Sequence, residues 1–158
     1  MKIKLCYVFL FLFLFLMVMT FGCSNEKKSK QVMICNLNSN NKNASITSVY
    51  KVFYKNNIVE SVELTEEMLS EDEEILNTML ETTKNTYYSL NEAYGGYTYE
   101  VNLEDGKIVS YAIIDYSNMN LEKLLKDKQD MSDYVNSDNK LTKEGIQSMY
   151  ESIGAICK

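Results

Sequence analysis

The sequence contains no histidine, no arginine, no tryptophan and no proline. Without His, imidazole acid–base chemistry, Ser-His-Asp and Cys-His catalysis and His-ligated zinc are all excluded. Without Arg, and with 22 acidic residues against 16 lysines, the chain has no basic surface able to displace the counterions of DNA or RNA. A nucleic-acid partner is therefore not expected. The missing Trp and Pro fit a drifted, low-GC-type composition and exclude no chemistry. Phenylalanine is scarce where a core must form: five of the six precede residue 22, leaving Phe53 alone. Aromatic burial falls to tyrosine, whose hydroxyl needs a partner or water.

What the chain does have is one long apolar run, residues 5–21, without a charge. Lys2 and Lys4 precede it, and Gly22 and Cys23 follow. That order is a positive n-region, an apolar h-region, a small residue and a cysteine. The run falls short of the roughly 20 residues that cross a bilayer comfortably. Its end resembles the lipobox of bacterial lipoproteins, which has an aliphatic residue, a small residue, Gly or Ala, then Cys. Gly22 and Cys23 fit that pattern; Thr20 and Phe21 depart from it. The expectation is that Cys23 takes a diacylglycerol and that residues 1–22 are removed as a lipoprotein signal peptide. The same run also fits an uncleaved signal anchor with Cys23 at the membrane edge, or ordinary secretory cleavage elsewhere.

Cleavage before Cys23 would leave 136 residues with 14 lysines and 22 acidic residues, a net charge of −8. Residues 23–31 then form a polar tether, in which Lys27, Lys28 and Lys30 add attraction to anionic head groups. Residues 32–158 are the size of a single domain. Two thiols remain beside the acylated one, Cys35 and Cys157. In an exported domain they are expected to form a disulfide closing a loop of about 120 residues; the alternative is one buried thiol and one in a frayed tail. No C-x-x-C motif supports a redox pair.

Along the domain, residues 32–37 read as a first strand and 38–45 as a loop. Residues 46–55 and 58–64 form a hairpin around Asn56-Asn57, with Ile58, Val62 and Leu64 on one face. Ser70 and Glu73 fit a capping box opening the main helix. Its stripe is Leu76, Leu80, Thr83, Tyr87, Leu90 and Tyr94, and Gly95-Gly96 ends it. Residues 97–103 and 107–116 form a second hairpin at Asp105-Gly106. The return strand is apolar on both sides, which predicts a central strand or one covered on its second face by later helices. A short helix over 121–126 and an irregular polar stretch follow. Thr142 caps a last helix with Ile146, Met149, Tyr150 and Ile153 buried, and Gly154 stops it before a docked tail. The order β-β-β-α-β-β-α-α is α+β in class: an antiparallel sheet of hairpins with one long helix packed across it and short C-terminal helices.

The densest charge run is Glu60, Glu63, Glu66, Glu67, Glu71, Asp72, Glu73 and Glu74. It reads as a solvated strand end plus an acidic first helical turn. The competing readings are a weak cation site or a docking patch for a basic partner. A hydrolase would need two carboxylates converging about 5–9 Å apart in a cleft. The cluster at Asp130, Ser132, Asp133, Asn136, Asp138 and Asn139 does not meet the EF-hand order and reads as a solvated loop. Tyr87, Tyr88, Tyr94, Tyr97 and Tyr99 around the Gly pair suit either a glycan- or peptide-binding patch or the core. The helical stripe and strand alternation favour the core. No cofactor, metal or catalytic residue is expected.

These features together resemble the YehR-like family of small bacterial lipoproteins. They are the signal ending at Cys23, the hairpin ITSVYKVFYKNNIVESVEL, the helix ending NEAYGG, the strand pair YTYEVNLEDGKIVSYAIIDY and the terminal LTKEGIQSMYESIGA. The resemblance implies an α+β domain on a lipid anchor and no catalytic residue. The expected protein is a lipid-anchored, outward-facing envelope domain. It would be a non-enzymatic binding or accessory protein for a protein, peptide or wall component, with a surface hydrolase using paired carboxylates as the alternative.

Overall fold

Asn and Asp-Gly pairs make the sheet's tight turns. The structure, a computed structural model, describes residues 29–41 and 43–158; the predicted signal and Cys23 lie outside them. Strands β2 (Ser45–Lys55) and β3 (Ile58–Leu69) meet at Asn56 and Asn57, with φ of 51° and 69°. Strands β4 (Tyr97–Glu104) and β5 (Lys107–Asp115) meet at Asp105 and Gly106, with φ of 48° and 76°. Two successive left-handed residues give a turn whose twist matches the strands it joins. Strand β1 (Gln31–Asn40) pairs along β2 from Gln31↔Tyr54 to Asn40↔Ser45. The two-residue β6 (Ile156–Cys157) closes its outer edge. The result is a six-stranded antiparallel sheet in the order β4-β5-β3-β2-β1-β6, and the chain is α+β.

Two strands outrun their expected lengths. β1 continues through Asn40 and β3 through Leu69. Ladders to β2, and for β3 also to β5, satisfy the backbone groups, so polar side chains are tolerated where propensity is poor. The register also shifts between Phe53 and Tyr54. That bulge turns Val59, not the expected Ile58, inward with Val62 and Leu64.

The long helix α1 (Glu73–Tyr94) is capped by Asp72, whose Oδ1 accepts from the Glu74 and Ile75 amides at 2.9 and 3.2 Å. Ser70, the expected cap, instead donates to the Asn43 carbonyl at 2.6 Å. Because β3 runs to Leu69, Ser70 sits in the corner that turns the chain back, and the helix opens after Asp72. Leu76, Tyr87 and Tyr94 are buried along the stripe, and α1 lies over β4 and β5. Gly95 and Gly96 stop it at φ 70° and 80°; a Cβ on Gly96 would stand 2.6 Å from the Asp115 carbonyl oxygen. Glycine is required there on both counts.

Asn120 caps α2 (Leu121–Asp127), a 3-10 turn spans Gln129–Tyr134, and Thr142 Oγ1 caps α3 (Lys143–Ser152) by accepting from the Gly145 amide at 3.0 Å. A Cβ on Gly145 would overlap the Tyr134 carbonyl, so α3 seats flush on the 3-10 segment only with glycine there. Ile146 and Tyr150 are buried, but Ile153, expected on the same face, is 55% exposed. The helix ends at Ser152, and Ile153 is its outward-turned C-cap.

The core lies between one face of the sheet and the helices. Val52, Val62, Ile108, Leu141 and Ile146 are fully enclosed there. β5 is interior, flanked by β4 and β3, but its second side faces outward with Tyr111 exposed and Val109 and Ile113 half-buried. The later helices contribute to the core on the opposite side. No helix among the described residues is long and apolar enough to cross a membrane.

Candidate functional site

The inward positions of β3 should all be apolar, and Val59, Val62, Leu64 and Met68 are. Glu66 breaks the pattern. It lies on the helix-covered face, half-buried, with Ser48 of β2 and Ser110 of β5 as its cross-strand neighbours. Both serines are fully buried. Their small side chains leave room in the sheet centre for a longer one. Ser48 Oγ donates to Glu66 Oε2 at 2.7 Å, a charge-assisted bond of the strong kind.

Two aromatic pairs wall this polar spot. Tyr50 stacks on Tyr150 of α3 with ring centroids 4.1 Å apart, and Tyr87 of α1 stacks on Tyr99 of β4 at 5.3 Å. Burial raises the Tyr87 pKa to about 12; the Glu66 charge adds to the rise and Ser110 opposes it. Burial likewise raises Tyr50, with Ser48 opposing and Glu66 adding. Ser110 thus stands near enough to favour the Tyr87 phenolate, yet its Oγ makes no hydrogen bond of ordinary geometry. The cluster holds one acidic side chain, two serine hydroxyls and four tyrosine hydroxyls.

This arrangement offers one half-buried acidic side chain flanked by serine and tyrosine hydroxyls. The strand glutamates divide between faces: Glu66 points inward, while Glu63 and Glu67 share the open face. Four residues apart on a strand, Glu63 and Glu67 stand about 13 Å from each other. Glu71, Glu73 and Glu74 are exposed at the start of α1, and Asp72 is committed to capping. Among the described residues, no group of three or more Cys, Asp or Glu side chains is placed to hold a metal. The amides near residue 136 serve their own turn, Asn136 Oδ1 accepting from the Asp138 and Lys140 amides. Of the five tyrosines around Gly95-Gly96, Tyr87 and Tyr94 are buried, Tyr97 and Tyr99 are half-buried, and Tyr88 is exposed. That disposition serves the core, not a patch. A shallow depression of about 670 Å³ where β2, β3 and the start of α1 meet is lined by Asn43, Ser70 and Gly106 and by Glu71 and Asp72, the latter committed to capping α1.

The Ser pair gives a direct contrast. Ser48→Ala removes the donor to a half-buried carboxylate and is expected to cost about 1–2 kcal/mol, whereas Ser110→Ala removes a hydroxyl without a partner and should be neutral or slightly stabilising. Urea midpoints of the two variants decide it. An equal loss in both would mean that Ser110 is bonded in solution.

Of the residues singled out from the sequence, Cys23 lies outside the described residues. Cys35 and Cys157 are brought together across the β1–β6 ladder, their sulfurs at disulfide distance, 2.01 Å. Reciprocal backbone bonds frame the pair, Ile34 N–H to Lys158 O at 3.0 Å and Lys158 N–H to Ile34 O at 2.9 Å. Sequence reasoning placed Glu66 among solvated charges. Period-two alternation carried on from Val62 and Leu64 would have turned it inward.

No protein-family model and no curated protein matches the chain. Among solved structures it is similar to an NMR structure of a protein from Streptococcus pneumoniae TIGR4, with a TM-score of 0.50 and 15% identity over 85% of this chain and 88% of that one. It is also similar to the NMR structure of the Escherichia coli YehR protein, with a TM-score of 0.52 and 12% identity over 82% of this chain and 92% of that one. At these identities the likeness is one of fold: the chain has a YehR-like fold.

Proposed function

We propose that this chain is a YehR-like lipoprotein: an extracytoplasmic domain of the bacterial envelope, anchored through a lipid on Cys23, that binds or assists without turning over a substrate. The observation that carries the reading is the order Lys2, Lys4, the uncharged run 5–21, Gly22 and Cys23, followed within nine residues by the first strand. Supporting it, Cys35 and Cys157 stand at disulfide distance, and a bond between them would persist in an oxidising compartment. The inward carboxylate at Glu66, with hydroxyls but no second acid beside it, fits recognition of a protein, peptide or wall component better than hydrolysis.

The test is the intact mass of protein extracted from membranes. The expected mass is that of residues 23–158 plus a diacylglycerol, and Cys23→Ser should abolish that species and release the chain from the membrane fraction. An unlipidated full-length mass would overturn the anchor. A substrate turned over by the wild-type chain and not by Glu66→Gln would overturn the binding role.

A further inference from the structure

Charge is segregated along this sequence. No Asp or Glu occurs from residue 27 to residue 59, while 21 of the 22 acidic residues lie at residue 60 or beyond. The fold turns that segregation into geometry. β1, β2 and β6, which form one side of the sheet, carry no acid; β3, β4 and β5 carry Glu63, Glu66, Glu67, Glu100 and Asp115 among others.

The acid-free half also exposes apolar side chains on the sheet's open face. Val32 is 47% exposed, Ile34 41% and Ile156 66%, and none of them belongs to the core. By register they share that face with Val49, Lys51 and Phe53, and Lys30 lies over the Phe53 ring, 5.0 Å from its centroid. At the border toward β3, Lys30 faces Glu60 at 3.4 Å and Lys51 faces Glu63 at 4.0 Å. Exposed pairs of this kind are worth little, so both ammonium groups can turn to another anion at small cost.

The chain's own anchor says what that anion is. Gln31, the first residue of β1, follows Cys23 by eight residues, and a chain of that length reaches at most about 29 Å. On the reading that Cys23 carries the lipid, the start of β1 is held within one domain diameter of the bilayer. We propose that the open face of β1, β2 and β6 rests on the membrane. Val32, Ile34 and Ile156 enter the head-group region, and Lys30 and Lys51 meet lipid phosphates. An apolar patch beside lysines binds anionic surfaces in this way, and the lipid chain supplies the second signal that stable anchoring needs. α1, on the opposite face of the sheet, then points away from the membrane, while Glu63 and Glu67 of β3 share the open face and mark the acidic border of the patch.

Because the chain has no tryptophan, a single introduced Trp is a clean reporter of depth. The lipidated protein extracted from membranes is floated with vesicles of phosphatidylglycerol and phosphatidylethanolamine whose head groups carry a quencher. Trp fluorescence is compared for Val32→Trp, Ile156→Trp and, on the outer side of α1, Tyr88→Trp. The first two should be quenched about threefold more than the third, as expected for side chains seated in the interface. Adding Lys30→Glu and Lys51→Glu should erase the difference. Protein that floats but is quenched equally at all three sites overturns this orientation and leaves the anchor standing. Protein that does not float overturns the anchor and the orientation with it. Weak quenching at residues 32 and 156 with a dimeric mass would assign the face to a second copy instead.

Discussion

Titrated with base, the domain should unfold in one steep step that begins near pH 10 and is complete by about pH 12. The pKa values of Tyr50, Tyr87, Tyr97, Tyr116 and Tyr150 are all raised, in each case chiefly by burial. The sign follows from linkage. The unfolded chain ionises its tyrosines near pH 10, and the folded chain resists until higher pH, to about 12 for Tyr87. The stabilisation is therefore intact below pH 10 and is lost as pH rises through the folded values. Each such tyrosine costs about 1.4 kcal/mol per pH unit in that window. Tyr87, Tyr116 and Tyr150 together cost about 4 kcal/mol per unit, and Tyr50 and Tyr97 add to that. A domain of ordinary stability, about 5–15 kcal/mol, cannot survive two units of that. Phenolate absorbance and far-ultraviolet circular dichroism should therefore change together. A gradual rise in absorbance with the dichroism intact beyond pH 12 would show that the tyrosines are more open to water than the fold places them.

Reduction should have a comparable effect at neutral pH. Cys35 and Cys157 are 122 residues apart in sequence, so their bond confines almost the whole domain in the unfolded state. In the chain-entropy description that contributes about 4–5 kcal/mol. For a domain of this size the urea midpoint should fall by about 2 M in reductant, and the Cys35→Ser, Cys157→Ser double variant should match the reduced protein with or without it. Identical midpoints would mean that the two thiols are unpaired in solution. The loss has a local component as well: Ala155, buried beside the core, is held in place by the tail that β6 docks.

Both effects rest on features of different legibility. Asn56-Asn57 and Asp105-Gly106 announce their turns because the left-handed backbone demands those residues locally. The helix stripe and the Gly95-Gly96 stop are equally local. The end of β3 was not legible in the same way. Glu66, Glu67 and Leu69 sit in a strand because β2 and β5 flank them, a tertiary cause that propensity does not record. That misplaced boundary carried the helix cap from Asp72 to Ser70, and it hid the inward turn of Glu66. The bulge at Phe53/Tyr54 likewise exchanged Ile58 for Val59. Ile153 continued the helical period but lay beyond the last helical residue. The Glu66 cluster was only half readable for a related reason. Its carboxylate is marked by strand alternation, while Ser48 and Ser110 are unremarkable residues until the register sets them on either side.

The ladder that ties Ile34 to Lys158 has a mechanical meaning. Under the proposed anchoring through Cys23, a load on the domain enters the sheet at Gln31, the start of β1. A pull along the axis of β1 loads its ten residue pairs with β2 in shear. Their hydrogen bonds must slide together instead of opening one by one like a zipper. On its other edge β1 is stitched to the carboxyl end by the Cys35–Cys157 cross-link. The strand that would receive that pull is thus the one gripped on both edges.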